Sequence, residues 1–190
     1  MTIIYFIRHA QADNAFRDDR TRSLTEKGMS DRSLVTEFLS DKNINAVLSS
    51  PYKRAVDTVS DFANSVDLDI VTVEDFRERK IDSNRVEDFE GFVKNQWADF
   101  SYKLSGGECL SEVQKRNVTA LRKVLTEYKD KNIVIGTHGT ALSTIINYYD
   151  QTYGFEDFMA MVFMTPWVVK MMFYGDKFVE MEKIDLLHLR

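Results

Sequence analysis

The chain opens with Ile3-Ile4-Tyr5-Phe6-Ile7-Arg8-His9, in which a short apolar run ends directly on an arginine and a histidine. A run of this length indicates a buried β-strand, and the polar pair that follows it lies where that strand ends. Other short apolar runs alternate with segments of helical periodicity. The runs predicted as strands are residues 46–48, 70–73 and 133–135, and the segments predicted as helices are residues 25–39, a helix from residue 51, 108–128 and 139–149.

Strands that alternate with helices predict a three-layer α/β/α fold with a mostly parallel central sheet. Residues 167–174 and 178–184 predict a closing hairpin, with its turn at Gly175-Asp176. Two helix starts are also predicted. Thr25 is placed to cap the first helix, and Ser50 is placed to cap the second, with Pro51 at the first helical position.

One segment, residues 82–105, departs from this alternation and predicts a small inserted lid. Its charged residues are interleaved with aromatic ones, and the mixture of Arg85, Lys94, Trp97 and Tyr102 suits a phosphate ester with an apolar or ring part. The aromatic residues of the segment are Phe89, Phe92, Trp97, Phe100 and Tyr102.

Composition narrows the classes of protein. The chain has 190 residues, with 25 basic and 30 acidic side chains and a net charge of -5. It lacks the basic surplus of a nucleic-acid binder. Its single cysteine, Cys109, excludes an intrachain disulfide, and no apolar run is long enough to span a membrane. We therefore expect one cytoplasmic domain over residues 1–190, with neither nucleic acid nor membrane as a partner.

Reactive side chains follow each of the four predicted parallel strands. Because parallel strands share one carboxyl edge, these side chains are expected to converge. The four sets are Arg8-His9, Arg54, Arg77-Glu78-Arg79 and Thr137-His138-Gly139.

This combination of side chains suits phosphoryl transfer. A neutral imidazole is a good nucleophile toward phosphorus, and Arg8 and Arg54 can neutralise charge on the phosphoryl oxygens. His138 can add a hydrogen bond, and Gly139 allows the backbone to approach closely at a helix N-terminus. Glu78 is placed to act as acid and base, although the neighbouring arginines would oppose its protonation unless they point elsewhere.

Five blocks of sequence together resemble the histidine phosphatase superfamily, which has the phosphoglycerate-mutase-like fold. The blocks are Arg8-His9-Ala10, residues 49–55, Arg77-Glu78-Arg79, Gly106-Gly107-Glu108 and Thr137-His138-Gly139. The resemblance implies that His9 becomes a phosphohistidine intermediate and that Arg8, Arg54 and His138 complete the phosphate pocket. It also implies that Glu78 donates and accepts the proton, and that no metal and no cofactor is needed.

Further residues connect the chain to particular branches of that superfamily. Ala10 and Ala12 stand where other members often have glycine and threonine, as in the short-chain phosphohistidine phosphatases. Arg22, just before Leu24-Thr25, matches an arginine of the same branch, although that branch usually lacks the insertion and the acid glutamate. Arg22, Gln11 and Gly139 are accordingly candidate substrate-binding residues.

The preferred function is a phosphatase acting on a phosphorylated small molecule through His9. A phosphoglycerate mutase is a weaker alternative, because the insertion has no adjacent arginine pair. A phosphohistidine-protein phosphatase and a non-catalytic phospho-ligand binding module also stay open. Of the three histidines, His188 is expected to have a surface or packing role. A histidine after a strand is, on its own, more often a core residue, but for His9 the four accompanying motifs favour catalysis. Six methionines between Met159 and Met181 are expected in the core, or in a homodimer face.

Overall fold

The computed structural model describes residues 1–15, 18–82 and 86–188. The strands of this part of the chain are β1 (Thr2–Arg8), β2 (Ala46–Ser49), β3 (Ile70–Thr72), β4 (Asn132–Thr137), β5 (Trp167–Tyr174) and β6 (Lys177–Asp185). The helices are α1 (Glu26–Leu39), α2 (Lys53–Ser65), α3 (Phe89–Ala98), α4 (Leu110–Glu127), α5 (Gly139–Tyr149) and α6 (Phe155–Val162), with short 3₁₀ turns at Glu74–Phe76 and Leu186–His188. None of the helices described combines the length and the apolar character needed to cross a membrane.

The strands form one sheet in the order β3-β2-β4-β1-β5-β6. The first four of these strands are parallel, while β5 pairs antiparallel with β1, and β6 pairs antiparallel with β5. Gly175, with a φ of +63°, supplies the left-handed residue of the two-residue turn between β5 and β6. The structure therefore confirms the mostly parallel sheet and the closing hairpin.

Alternate side chains of β1 enter two separate cores. Ile4 and Phe6 pack in a cluster with residues of α4, α5 and α6, whereas Tyr5 and Ile7 pack in a cluster with residues of α1 and α2. This is the two-residue period of a strand that is covered on both faces. Helices thus cover both sides of the sheet, which confirms the three-layer α/β/α architecture.

The two predicted helix starts have different outcomes. The hydroxyl of Thr25 accepts a hydrogen bond from the backbone N–H of Gly28 at 3.0 Å, so Thr25 caps α1 as expected. The prediction that Ser50 caps the second helix is wrong, because α2 begins only at Lys53, after Tyr52. The Ser50 hydroxyl contacts His138 instead, so it is not free to cap a helix.

The described part of the 82–105 segment contributes to the main core. Phe92 and Val93 of α3 are buried in the cluster that also contains α4, α5 and α6. The fully buried Gln96 donates from Nε2 to the carbonyl oxygens of Tyr102 and Glu108, both at 3.0 Å. These contacts attach α3 to the start of α4. Arg85, named above for substrate contact, lies outside the described residues.

Hydrogen bonds at the carboxyl edge of the sheet continue past the ends of the strands. The backbone N–H of His9 donates to the carbonyl of Thr137 at 3.0 Å, and that of Ser50 donates to Gly136 at 2.8 Å. The first residues after β1 and β2 are therefore fixed to β4. This arrangement brings the loops that carry His9, Ser50 and His138 to one point.

Candidate active site

The two histidines predicted to act together are neighbours at this edge. Their ring centroids lie 5.3 Å apart, with the planes inclined at 62°. His9 follows the last residue of β1, and His138 is the N-cap residue of α5. His188 lies far along the chain in an exposed turn, where its Nδ1 contacts Asp185.

The His9 imidazole has one nitrogen engaged and one free. Its Nδ1 lies 2.7 Å from the carbonyl oxygen of Ala10, and because a carbonyl only accepts, Nδ1 carries the proton. Nε2 then has its lone pair available. Burial, followed by the charges of Arg54 and Arg8, lowers the pKa of His9 well below its ordinary value. The ring is therefore neutral near pH 7, as a nucleophile must be.

The turn that carries His9 is attached to α2. The backbone N–H of Ala10 donates to the hydroxyl of Thr58 at 3.0 Å, and that hydroxyl donates to the carbonyl of Arg54 at 2.7 Å. Ala10 and Thr58 are both buried. One buried hydroxyl thus fixes the turn that carries His9 relative to the helix that carries Arg54.

His138 has no exposed surface, and its two nitrogens differ. Nε2 lies 2.7 Å from the hydroxyl of Ser50, while Nδ1 is buried without a hydrogen-bond partner among the described residues. Burial, together with the charge of Arg54 and the neighbouring His9 ring, lowers the pKa of His138 well below its ordinary value. This second ring is neutral as well.

Arg8 and Arg54 are each anchored through their own Nη1 atom. Nη1 of Arg8 donates to the carbonyls of Met161, Val162 and Met164 at 2.6, 3.1 and 2.9 Å, around the C-terminal end of α6. Nη1 of Arg54 donates to the carbonyl of Asp19 at 2.5 Å and pairs with its carboxylate at 3.1 Å. In both residues Nε is buried and unpartnered within the described structure. Each guanidinium is thus held at one end and has donors left at the other.

Both arginines keep their charge despite burial. Burial lowers the pKa of Arg8 to about 10, against the opposing charge of Glu78. Burial also lowers the pKa of Arg54, where Asp19 and Glu78 act in the opposite sense. Because the pKa of Arg8 at about 10 is still well above neutrality, its guanidinium stays protonated.

Arg22 joins the same group. Its Nη2 pairs with the Asp19 carboxylate at 3.4 Å, and its Nε is also buried without a partner in the part of the chain described. The site therefore has three buried donors without partners, Nε of Arg8, Arg22 and Arg54, beside the unpartnered Nδ1 of His138. An unsatisfied buried donor costs about 1–3 kcal/mol, so a site that collects three is suited to a group with several acceptor oxygens.

Glu78 lies at the N-terminus of α5. Its Oε2 accepts from the backbone N–H of Thr140 at 2.9 Å, and its Oε1 accepts from Ala141 at 3.2 Å and from Arg79 at 2.6 Å. Its charge acts on both Arg8 and Arg54. The carboxylate is therefore close to the phosphoryl-binding group proposed from the sequence.

The side chains of the two neighbouring arginines form hydrogen bonds with other residues, although the charge of Glu78 still acts on Arg79. Arg77 donates from Nη2 to Glu108 at 2.8 Å, and the buried Arg79 donates to the side chain of Gln96. The guanidinium of Arg79 also lies over the ring of Phe92, 5.2 Å from its centroid. Neither side chain makes a hydrogen bond to Glu78 in the structure described.

A buried ion pair supports the chain around Glu78. Arg116 of α4 donates to both carboxylate oxygens of Glu108, at 2.9 and 3.0 Å, and to the carbonyl of Arg77 at 2.8 Å. Burial alone would raise the pKa of Glu108, but hydrogen bonds from Arg116 and from the backbone of Lys80 lower it overall. The Gly106-Gly107-Glu108 block of the sequence thus holds the loop that carries Glu78.

The two remaining sequence candidates, Gly139 and Gln11, lie in different surroundings. Gly139 is the first residue of α5, and a Cβ built on it would lie 3.5 Å from Nε of Arg8, so a larger side chain would cover that donor. The Gln11 side chain is exposed and accepts from the hydroxyl of Thr25 at 2.9 Å. The contacts described for Gln11 thus connect it to α1.

Sequence reasoning missed three residues: Ser50, Thr58 and Asp19. Ser50 and Thr58 each lie four residues from Arg54, and that spacing around a site arginine was a usable signal. No signal in the sequence indicated Asp19, because it lies in a loop that mixes acidic and basic residues. Among the described residues, no group of three or more His, Cys, Asp or Glu side chains is arranged to bind a metal ion.

Comparisons with known proteins agree with the fold and the motifs. The family model of the histidine phosphatase superfamily (branch 1) matches residues 4–182, and the chain belongs to this superfamily. Two relatives are each 27% identical. Phosphoglycerate mutase-like protein 4 of Arabidopsis thaliana aligns over 98% of this chain and 86% of its own length, and the uncharacterized phosphatase PhoE of Bacillus subtilis aligns over 77% and 76%.

Solved structures show the same architecture. A mutant of phosphoserine phosphatase from Entamoeba histolytica, in complex with phosphoserine, has a TM-score of 0.80 at 19% identity and covers both chains completely. A mycobacterial glucosyl-3-phosphoglycerate phosphatase has a TM-score of 0.76 at 17% identity, over 95% of this chain and 96% of its own. At these identities the likeness establishes the fold.

Proposed function

We propose that this protein is a metal-independent phosphatase that hydrolyses a small phosphate monoester through a phosphohistidine on His9. One observation carries the proposal. His9 has a free Nε2 on a neutral ring, and the arginines whose charge acts on that ring keep unpartnered buried donors. A nucleophile beside donors that lack acceptors is the arrangement that a transferring phosphoryl group requires.

In the first step Nε2 of His9 attacks phosphorus, and the bond from phosphorus to the ester oxygen breaks. Glu78 enters this step as the acid and gives its proton to the departing oxygen, so the product alcohol leaves neutral. The carboxylate that results is stabilised by the N–H groups of Thr140 and Ala141, which contact Glu78 in the structure. Arg8 and Arg54 neutralise the charge on the three equatorial oxygens, and neutral His138 donates a hydrogen bond to one of them.

In the second step water attacks the phosphohistidine from the side that the alcohol has left. The Glu78 carboxylate takes a proton from this water, the N–P bond breaks, and inorganic phosphate and neutral His9 are released. Glu78 then has its proton for the next cycle. The same residue acts as acid and as base because the two steps are chemical reverses of each other.

For the substrate we propose a phosphorylated small molecule, in a cytoplasmic setting. The structural neighbours carry names and ligands of this kind, namely phosphoserine, glucosyl-3-phosphoglycerate and 3-phosphoglyceric acid. We assign the choice among such esters to the 82–105 segment. Hydrolysis is preferred over mutase chemistry because that segment has no adjacent arginine pair for a second anionic group.

The test is hydrolysis of p-nitrophenyl phosphate in the presence of EDTA. Activity should persist with the chelator and fall by at least about 10³-fold in His9→Ala, because the nucleophile is lost. His188→Ala is the matched control, since it removes an exposed histidine outside the site. Rapid denaturation with ³²P-labelled substrate should trap a phosphoryl group that is stable in alkali and labile in acid. Undiminished activity in His9→Ala would refute the proposal, and isomerisation of 3-phosphoglycerate without phosphate release would indicate a mutase.

A further inference from the structure

The hydroxyl of Ser50 lies between a backbone donor and an imidazole, and this position fixes where its proton goes. Its Oγ accepts from the backbone N–H of Tyr52 at 3.2 Å and lies 2.7 Å from Nε2 of His138. The N–H of Tyr52 can only donate, and if Nε2 also donated to Oγ, the buried proton of the Ser50 hydroxyl would have no acceptor among the described residues, so this proton is directed at Nε2. Nε2 is therefore the acceptor, and the ring proton of neutral His138 lies on Nδ1.

We infer that Ser50 is a positioning residue that selects the Nδ1–H tautomer of His138, so that this ring presents a donor to the phosphoryl oxygens. Ser50 has no exposed surface, and Nδ1 of His138 is a buried donor without a partner among the described residues. The inference deepens the proposed phosphatase mechanism and rests on it for its kinetic consequence. Its structural half, the tautomer, stands independently of any activity.

The tautomer matters because His138 cannot hold both protons. The rings of His9 and of Tyr52, the residue before α2, lie against it, and the charges that act on it are those of Arg54, Arg116 and Arg8. These groups are cationic or neutral, and none of them favours an imidazolium. A neutral His138 in the other tautomer would direct the Nδ1 lone pair at a phosphoryl oxygen. Binding would then be repulsive where it should be attractive.

The preceding residue supplies a matched control. Ser49 is also fully buried, but its hydroxyl has no partner in the structure described and lies beside Gly136 of β4. Ser49→Ala therefore removes the same atom from the same buried strand end without touching His138. Loss of a buried hydroxyl as such is common to both variants, whereas loss of the contact with His138 belongs to Ser50→Ala alone.

The direct test is long-range ¹H–¹⁵N NMR of histidine-labelled protein at pH 7.5, which distinguishes the two neutral tautomers. His138 of the wild type should give the Nδ1–H pattern, as should Ser49→Ala, while Ser50→Ala should shift it toward the Nε2–H pattern. An Nε2–H pattern in the wild type would overturn the inference, whether or not the variants fold. An unchanged Nδ1–H pattern in folded Ser50→Ala would overturn it as well.

The kinetic test uses p-nitrophenyl phosphate. Ser50→Ala should lower kcat by about 10–100-fold, by analogy with the loss of a partner that orients a metal-bound histidine, with a smaller change in KM. Ser49→Ala should stay within about twofold of wild type. Equal losses of kcat in the two variants would refute the positioning role. If the wild type hydrolyses no phosphate ester, the proposed function fails, while the NMR result still decides the tautomer.

Discussion

His9 and His138 lie with their ring centroids 5.3 Å apart, yet their free nitrogens have opposite characters. His9 keeps a lone pair on Nε2, because its Nδ1 donates to Ala10. His138 keeps an unpartnered Nδ1, because its Nε2 is occupied by Ser50. Two neutral imidazoles can therefore serve one phosphoryl group, one as nucleophile and the other as donor. Burial and the nearby arginines keep both rings neutral by lowering their pKa values.

The first prediction concerns the titration of these two rings. In a histidine NMR titration from pH 8 to pH 5, both should keep the chemical shifts of neutral imidazole through about pH 6.5, the value for an unperturbed histidine. The lowered pKa has a consequence for stability. Below about pH 6.5 the unfolded chain binds protons on these two histidines that the folded chain does not bind. The contribution of the two rings to the free energy of unfolding is therefore complete above that pH and is lost as the pH falls.

Urea unfolding at pH 7.5 and pH 5.5 measures this linkage. Each ring should add up to about 1.4 kcal/mol per pH unit to the loss of unfolding free energy below the unfolded pKa. His9→Ala should flatten the dependence, because one of the two rings is gone. Titration of His9 or His138 at or above pH 6.5 in the folded protein would contradict the prediction.

The second prediction concerns Glu78 as the acid. In Glu78→Gln the loss of kcat/KM should grow with the basicity of the leaving group, because a poor leaving oxygen needs the proton most. We expect about 10²–10⁴-fold loss for an alkyl phosphate and a smaller loss for p-nitrophenyl phosphate. The aryl ester should also show a burst of nitrophenol, since the phosphohistidine persists when the base for the second step is missing.

Glu74→Gln is the control for this experiment. Glu74 lies only four residues earlier and is exposed, where it pairs with Arg20 at 2.8 Å. The Glu74→Gln variant should hydrolyse both esters at the rates of the wild type. Equal losses for alkyl and aryl esters in Glu78→Gln would show that Glu78 is not the acid. A loss that depends on the leaving group in Glu74→Gln would show that Glu74 is the acid instead.

How much of this site the sequence could predict depends on the range of the interactions. His9, Arg54 and His138 were predictable because each follows a strand of a parallel sheet, and topology alone brings such positions together. The orientation of Arg77 and Arg79 was not, because it depends on Glu108 and Gln96, which lie 31 and 17 residues further along the chain. No local pattern contains contacts of that separation.

Ser50 shows how a local rule fails in such a site. Serine before proline at the end of a strand is a typical helix cap, and the rule succeeded for Thr25, where no other partner competes. The Ser50 hydroxyl instead forms a hydrogen bond with His138, which lies 88 residues further along the chain. The hydrogen bond to a buried imidazole replaces the cap, and α2 begins two residues later than predicted.

The third prediction tests the two ends of the Arg54 guanidinium. Nη1 is held by the carbonyl and carboxylate of Asp19, which leaves the Nε end for substrate. Lysine keeps the charge but cannot hold Asp19 and present a fork of donors at once. Arg54→Lys should therefore lower kcat/KM by about 10²–10³-fold and weaken inhibition by vanadate in parallel. Lys53→Ala, next in sequence and paired with Asp57 at the surface, should change neither value. Full activity in Arg54→Lys would show that charge alone suffices.

The fourth prediction concerns the ion pair of Arg116 and Glu108, whose side chains are only 10% and 17% exposed. Arg116→Ala should lower the free energy of unfolding by about 2–4 kcal/mol, because Glu108 is left as a nearly buried charge with one partner fewer. It should also lower kcat, since the loop that carries Glu78 loses its anchor at the carbonyl of Arg77.

The double variant Arg116→Ala/Glu108→Gln should be more stable than the sum of the single losses predicts, by about 1–3 kcal/mol, as measured by urea unfolding. Lys115→Ala, on the exposed side of the same helix, serves as control and should have little effect. Strict additivity in the double variant would mean that the two residues stabilise the loop independently, and the ion pair would then not be the support of the acid.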